Sequence, residues 1–264
     1  MTKPAGGFSW YELMTTDPFA AKAFYEPVVG WSMSIGHAND EGYGFIARSD
    51  GGMAGGLLRL SQAMVEHGAR PAWIGYLHVV DIDAAVGEIE AAGGKLLMPA
   101  RDVEMAGRIA KIADPQGAPI YLMTPTPPVG QPDAESGVFS VDQPQHVRWN
   151  ELQSSDPDGS IAFYTGQFGW TQQGEMDMGS MGKYRFVQHH GITLGAIMPK
   201  MPAVPHSVWS FYIGVDDIDR AAAAVTAGDG TLNGAINEIP GGEFSLHCSD
   251  PQGAAFGLVG PRKA

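Results

Sequence analysis

The sequence predicts an α+β protein built from four βαβββ units, and three observations predict it. The 22 residues from Trp10 to Trp31, WYELMTTDPFAAKAFYEPVVGW, recur 139 residues later as Trp149 to Trp170, WNELQSSDPDGSIAFYTGQFGW, with ten identities. At a chance match of roughly 6% per position, composition alone would give about one, so the chain is an internal duplication. A second pair of markers keeps nearly the same spacing. Asp81-Ile82-Asp83 recurs as Asp217-Ile218-Asp219, and Asp114-Pro115-Gln116-Gly117 as Asp250-Pro251-Gln252-Gly253, both 136 residues on. Finally, 36 glycines and 19 prolines in 264 residues suit many short strands and tight turns better than long helices.

Residues 8 to 14 alternate as a strand, with Trp10, Glu12 and Met14 on one face and Tyr11 and Leu13 on the other. Asp17 then caps a helix with Pro18 at its first position, where the missing N–H costs nothing. Ala20, Ala23, Phe24 and Val28 give that helix an apolar stripe, and Gly30 ends it. From Trp31 to Leu60, turn signals at Asn39-Asp40, Ser49 to Gly52 and Gly55-Gly56 predict three strands. The next unit has a strand from Trp73 to Val80, a helix capped at Asp81 and stopped by Gly93-Gly94, and strands at 96–99, 108–113 and 119–123. Five prolines in residues 124 to 145 read as an extended linker. The predicted domains are therefore 1–124 and 146–264, separated by 125–145. The second domain repeats the plan, with strands at 147–153 and 208–215 and helices at 157–167 and 217–227.

With 44% apolar residues, each domain can bury a core. A net charge of -13 without any run of Lys or Arg argues against nucleic acid or an anionic membrane as partner. The lone Cys248 forms no internal disulfide, and MTKPAGGFSW opens the chain without a signal-peptide pattern, so a soluble cytoplasmic protein is expected.

The Asp-Pro cap, the Phe-Tyr pair late in the helix, the following Gly-Trp and the later Asp-Pro-Gln-Gly turn resemble the vicinal oxygen chelate superfamily. That group includes glyoxalase I, bleomycin-resistance proteins, fosfomycin-resistance transferases and extradiol dioxygenases. The resemblance covers nearly all the chain outside the linker. It implies two glyoxalase-like domains whose paired units curve a mixed sheet into a cup, and in many relatives the concave face holds a divalent metal. It also implies that the tandem chain contains the pseudo-dimer that single-domain relatives form by association, so a monomer is expected.

Relatives take metal ligands from the first, fourth, fifth and eighth strands as His, Glu or Gln. Here the first position holds Trp10 and Trp149, the fourth falls near Gly55-Gly56 and Leu194-Gly195, the fifth near Gly75 and Phe211, and the closing one on Tyr121 and Gly257. The usual metal set is missing from both halves, and no cofactor is predicted. A divalent metal stays open, because ligands distant in the chain can meet in the fold.

In the family register, residues of that parity face the cups: Trp10, Glu12, Met14, Trp73, Leu77, Tyr121 and Met123 in the first, and Trp149, Glu151, Gln153, Trp209, Phe211, Ile213 and Val259 in the second. Each cup is an aromatic, largely apolar pocket with one carboxylate, which suits a small molecule. The candidate ligand-binding residues are Trp10, Met14, Trp73, Tyr121, Trp149, Gln153, Trp209 and Phe211. Glu12 and Glu151 are the candidate catalytic residues, either as general bases or, on the structural reading, as acceptors for a Tyr or Trp that pin the first strand. His78 is expected on the helix side, and His247 and Cys248, being adjacent on a strand, form no dyad. Two functions follow. One is a metal-free protein that binds a hydrophobic or aromatic metabolite. The other is a superfamily enzyme, a glyoxalase-like lyase, dioxygenase or hydroxylase, working through Glu12 or Glu151 or through displaced metal ligands.

Overall fold

A computed structural model describes residues 5–36, 43–104, 106–127, 130 and 136–263. The first half contains β1 (Phe8–Thr15), α1 (Pro18–Val29), β2 (Ser32–Met33), β3 (Tyr43–Ala47), β4 (Met53–Arg59), α2 (Gln62–Glu66), β5 (Ala72–His78), α3 (Ile82–Ala91), β6 (Lys95–Val103), β7 (Gly107–Ala113) and β8 (Pro119–Pro125). The second contains β9 (Val147–Ser154), α4 (Pro157–Phe168), β10 (Thr171–Asp177), β11 (Lys183–His189), β12 (Ile192–Pro199), β13 (Val208–Gly214), α5 (Ile218–Ala227), β14 (Thr231–Leu232), β15 (Asn237–Glu238), β16 (Phe244–Ser249) and β17 (Ala255–Gly260). The α+β class and the repeated units are as the sequence predicts. The short α2 was not anticipated, and the Asn39-Asp40 turn lies outside the described residues.

The helix starts follow the predicted chemistry. Asp17 accepts from the N–H groups of Phe19 and Ala20, Asp81 from Asp83 and Ala84, and Asp217 from Asp219 and Arg220. Asp156 caps α4 through Gly159. Each satisfies orphan donors of the first turn, a contribution of about 1 kcal/mol. Gly30 and Gly169 end α1 and α4 in the left-handed conformation.

The strands hydrogen-bond in the order β2-β3-β4-β1-β5-β8-β7-β6 in one half and β10-β11-β12-β9-β13-β17-β16-β14 in the other, with β15 beside β16. The chain divides into two compact units, each drawing one βαβββ from either half. One comprises Met1–Ser9, Gly75–Ser136 and Trp149–Trp209, and the other Trp10–Ile74, Gly137–Arg148 and Ser210–Ala264.

Within each unit the repeated motifs meet. In the second unit the Tyr25 hydroxyl of α1 donates to Asp250 of the Asp-Pro-Gln-Gly turn and accepts from the Trp73 indole, at 3.1 and 2.9 Å. In the first, Tyr164 of α4 donates to Asp114 and accepts from Trp209, at 3.2 and 3.1 Å. These pairs are buried, and burial pushes both tyrosines well above their ordinary range, the facing carboxylate adding to the shift. Burial also raises Asp114 and Asp250, against the opposing pull of the turn N–H groups and the tyrosine hydroxyls. Around Tyr25 pack Phe24, Trp31, Trp73 and Phe256, with centroids 4.9 to 6.2 Å away. The apolar core of each unit is therefore organised on a phenol–carboxylate pair rather than on aliphatic packing alone.

Candidate functional site

Alternation along β9 sends Trp149, Glu151 and Gln153 to one face while Leu152 is fully buried on the other. The β11–β12 hairpin turns on His190 and Gly191, both left-handed at φ 48° and 78°, as the commonest two-residue hairpin requires. A register shift between Val187 and Gln188 then sets the pairing farther along the hairpin. Phe186 lies opposite Ala196, and Ala196 opposite Glu151, so one row runs from an aromatic through a small residue to the carboxylate.

Beside this row the polar atoms form a closed chain. The Trp149 indole donates to the Tyr184 hydroxyl at 2.7 Å, and that hydroxyl donates to Glu151 Oε2 at 2.8 Å. Gln153 reaches Glu151 Oε1 at 3.5 Å and accepts from the Met201 N–H at 3.2 Å. Burial, reinforced by the Glu151 charge, pushes the Tyr184 hydroxyl well above the usual phenol range, so it stays a donor. The Trp149 and Tyr184 rings are parallel within 5° at 6.3 Å, and Phe186 meets each of them edge-on at 6.0 Å. All three rings remain half-buried.

The second unit carries the copy. Phe45, Gly56 and Glu12 form the equivalent row, and the Trp10 indole donates to the Tyr43 hydroxyl at 2.8 Å. A Cβ at Gly56 would fall 1.9 Å from that hydroxyl, so the Tyr43 side chain lies closely over Gly56, where the other copy carries Ala196 beside its Trp149–Tyr184 bond. Glu12 is 3% exposed, Met14 is buried opposite Leu58, and Phe45 is 50% exposed. Tyr43 and Tyr184 were not among the predicted site residues. The signal was present: Tyr43-Gly44-Phe45-Ile46 and Tyr184-Arg185-Phe186-Val187 are a further repeat at an offset of 141.

The expected facing of the fifth strand is not met. Trp73 and Trp209 lie against the helices as partners of Tyr25 and Tyr164, and Phe211 meets Tyr11 edge-on at 5.3 Å in the buried core. The register is one residue off, which reverses every side chain. It is Tyr76 that stands opposite Tyr121, the rings stacked at 4.5 Å and 8°, with the Lys111 ammonium 5.5 Å from the Tyr121 centroid. His78 pairs with Met123 along the same strands and shares the Tyr76 face, not the helix side. Cys248 is buried, and its thiol is pushed up to about 12 by burial, which makes it inert.

Comparison with known proteins agrees with this architecture. The model of the Glyoxalase/Bleomycin resistance protein/Dioxygenase superfamily matches residues 7–122 and again 143–258. A Mycobacterium bovis protein with the provisional name glyoxylase CFP32 is 33% identical over 255 residues, covering 96% of this chain and 94% of its own. The anthracycline biosynthesis protein DauV of Streptomyces sp. (strain C5) is 28% identical over 288 residues, covering 100% and 97%. The crystal structure of the Mn(II)-bound glyoxalase from Novosphingobium aromaticivorans superposes with a TM-score of 0.64 at 16% identity, covering 98% of this chain and 83% of that one.

Apart from the Tyr121 phenol, the family's ligand positions offer few donor atoms here. Trp10 and Trp149 offer only N–H donors, already given to Tyr43 and Tyr184, and Gly56, Ala196 and Gly257 offer no ligand atom. Among the described residues no three His, Cys, Asp or Glu side chains converge as a metal group. No helix among them is long and apolar enough to cross a membrane. The two family-model matches, taken with the βαβββ repeats, place the chain: it belongs to the Glyoxalase/Bleomycin resistance protein/Dioxygenase superfamily.

Proposed function

We propose that the protein binds a planar aromatic metabolite against the Trp149–Tyr184–Phe186 wall, with Trp10–Tyr43–Phe45 as a second, separate wall, and does so without a divalent ion. One observation carries this reading. The polar atoms of Trp149, Tyr184 and Glu151 satisfy one another while the three aromatic residues stay partly exposed, which leaves aromatic surface to stack on a ligand. The relationship to a protein named for anthracycline biosynthesis supports it, anthracyclines being planar and polycyclic.

Titration with 1,4-dihydroxyanthraquinone, followed by tryptophan quenching and ligand anisotropy, tests the reading. Trp149→Ala is expected to weaken binding about tenfold, the upper range for one aromatic pair. No saturable binding by the wild-type chain, or an unchanged affinity in the variant, would sink it.

A second reading keeps the protein an enzyme of the superfamily with Glu151 or Glu12 as base. The bonds from Tyr184 and Gln153 support the pinning role for Glu151 instead, since a carboxylate so held is stabilised as an acceptor in place. A base would show itself by a turnover loss of at least ~100-fold in Glu151→Gln with binding retained.

A further inference from the structure

The row that holds Tyr76, Tyr121 and Lys111 in the first half is rebuilt with different chemistry in the second. Tyr212 on β13 is in register with Gly257 on β17, and Gly257 with His247 on β16, so all three share one face. Where Tyr121 fills the middle of its row with a ring, Gly257 leaves the middle empty and Tyr212 lies across it. A Cβ at Gly257 would fall 2.2 Å from Tyr212 Cδ1, so glycine at 257 is what lets the ring lean over. The lean carries the Tyr212 hydroxyl to 2.8 Å from His247 Nε2, with the two rings edge-on at 5.2 Å and 70°. Tyr212 is 6% exposed, whereas His247 is exposed. A buried phenol is thereby wired through an imidazole to solvent.

The geometry points to a proton relay that takes the hydroxyl proton of a bound phenol or enol through Tyr212 to His247. With Nε2 as acceptor, the Tyr212 O–H donates to His247, and the Tyr212 oxygen accepts from the ligand hydroxyl. Transfer moves two protons. The ligand proton passes to the Tyr212 oxygen as the original Tyr212 proton passes to Nε2. The products are a ligand oxyanion, a neutral Tyr212 that now donates to it, and an imidazolium that donates to Tyr212. Exposed His247 then releases one proton to water, and no co-reactant is needed. Gly257 is a positioning residue. The relay belongs to the second compact unit and does not depend on the Trp149 wall.

The test uses 4-nitrophenol, whose phenolate absorbs visible light, at a fixed pH near the probe's own midpoint, with binding counted separately by equilibrium dialysis of the full-length protein. The bound probe should show a phenolate-to-phenol ratio about tenfold above the free probe, one unit of apparent acidity. Tyr212→Phe keeps the ring over Gly257 and should return the ratio to the free value with probe still bound. His247→Gln, a change at an exposed position, should do the same. A bound probe with the free ratio, no bound probe, or a raised ratio surviving in either relay variant would overturn the proposal.

Discussion

At the scale of single residues, Tyr184 does more for the candidate site than the carboxylate beside it. Its hydroxyl accepts from one site residue and donates to another, so Trp149 and Glu151 are oriented by a group on a different strand. Tyr184→Phe leaves the ring contacts but strips a partner from both. A loss of about 1–3 kcal/mol is expected in urea denaturation, more than the removal of one exposed hydroxyl would cost. Gly56→Ala should cost less, because the Tyr43 hydroxyl that the new methyl meets ends a side chain that can shift, and Ala196 stands at the same place in the other copy. The carboxylate positions were legible in the sequence because they belong to the most regular part of the repeat. Tyr43 and Tyr184 were not, because a strand after a variable turn has no fixed register until its hairpin is known, and the offset there shifts from 139 to 141.

Among the elements, the two Asp-Pro-Gln-Gly turns show why a motif can recur without being catalytic. Their aspartates receive two N–H groups of their own turn and one tyrosine hydroxyl from a helix, which closes each core. The glutamines have diverged. Gln252 Oε1 accepts from the Thr15 and Thr16 hydroxyls and the Thr16 and Asp17 N–H groups at 2.7 to 3.0 Å, whereas among the described residues Gln116 Oε1 accepts from the Ser160 hydroxyl alone, at 3.0 Å. Gln252→Ala should therefore cost about 1–2 kcal/mol and Gln116→Ala less, measured side by side in urea. The aspartates give a pH prediction whose sign is fixed by burial. A folded-state value raised above the unfolded ~3.9 favours the protonated form, so this contribution to stability is full below ~3.9 and is lost as pH rises through the folded value. Asp114→Asn with Asp250→Asn should flatten the fall in stability over that window. The helix caps and turns that frame these contacts were readable from local chemistry. The facing of β5 and β13 was not, since Trp73 to Leu77 and Trp209 to Ile213 alternate plausibly in either register, and only the helical tyrosines that bind Trp73 and Trp209 decide between them.

For the whole molecule, the duplication and the compact units divide the chain differently, and this has a consequence for its fragments. In the second unit α1 packs against α5, Tyr25 donates to Asp250, and Phe24 and Phe256 meet edge-on at 6.0 Å. Residues 1–124 alone would keep Tyr25 but lose Asp250 and Phe256, leaving a buried phenol unpaired and an aromatic helix face bare, a large penalty for one domain-sized fragment. The same fragment contains Asp114, the repeat of Asp250, in a turn of the same sequence. Two copies of the fragment can therefore give each other the carboxylate that each Tyr25 lacks. Residues 1–124 are expected to sediment as a homodimer and the full chain as a monomer, with Tyr25→Phe weakening the fragment dimer. Alkaline titration supplies the second readout. Tyr25 is raised well above the ordinary phenol range when buried, so the folded state holds its proton, and the stability it lends is present below ~10 and lost as pH rises through the folded value. In the dimer Tyr25 should ionise only as the two copies separate. A stable monomeric fragment whose tyrosines all titrate near ~10 would show that each half folds without the other's turn, and the Tyr–Asp pairing would then be an accessory to the fold rather than its organising contact.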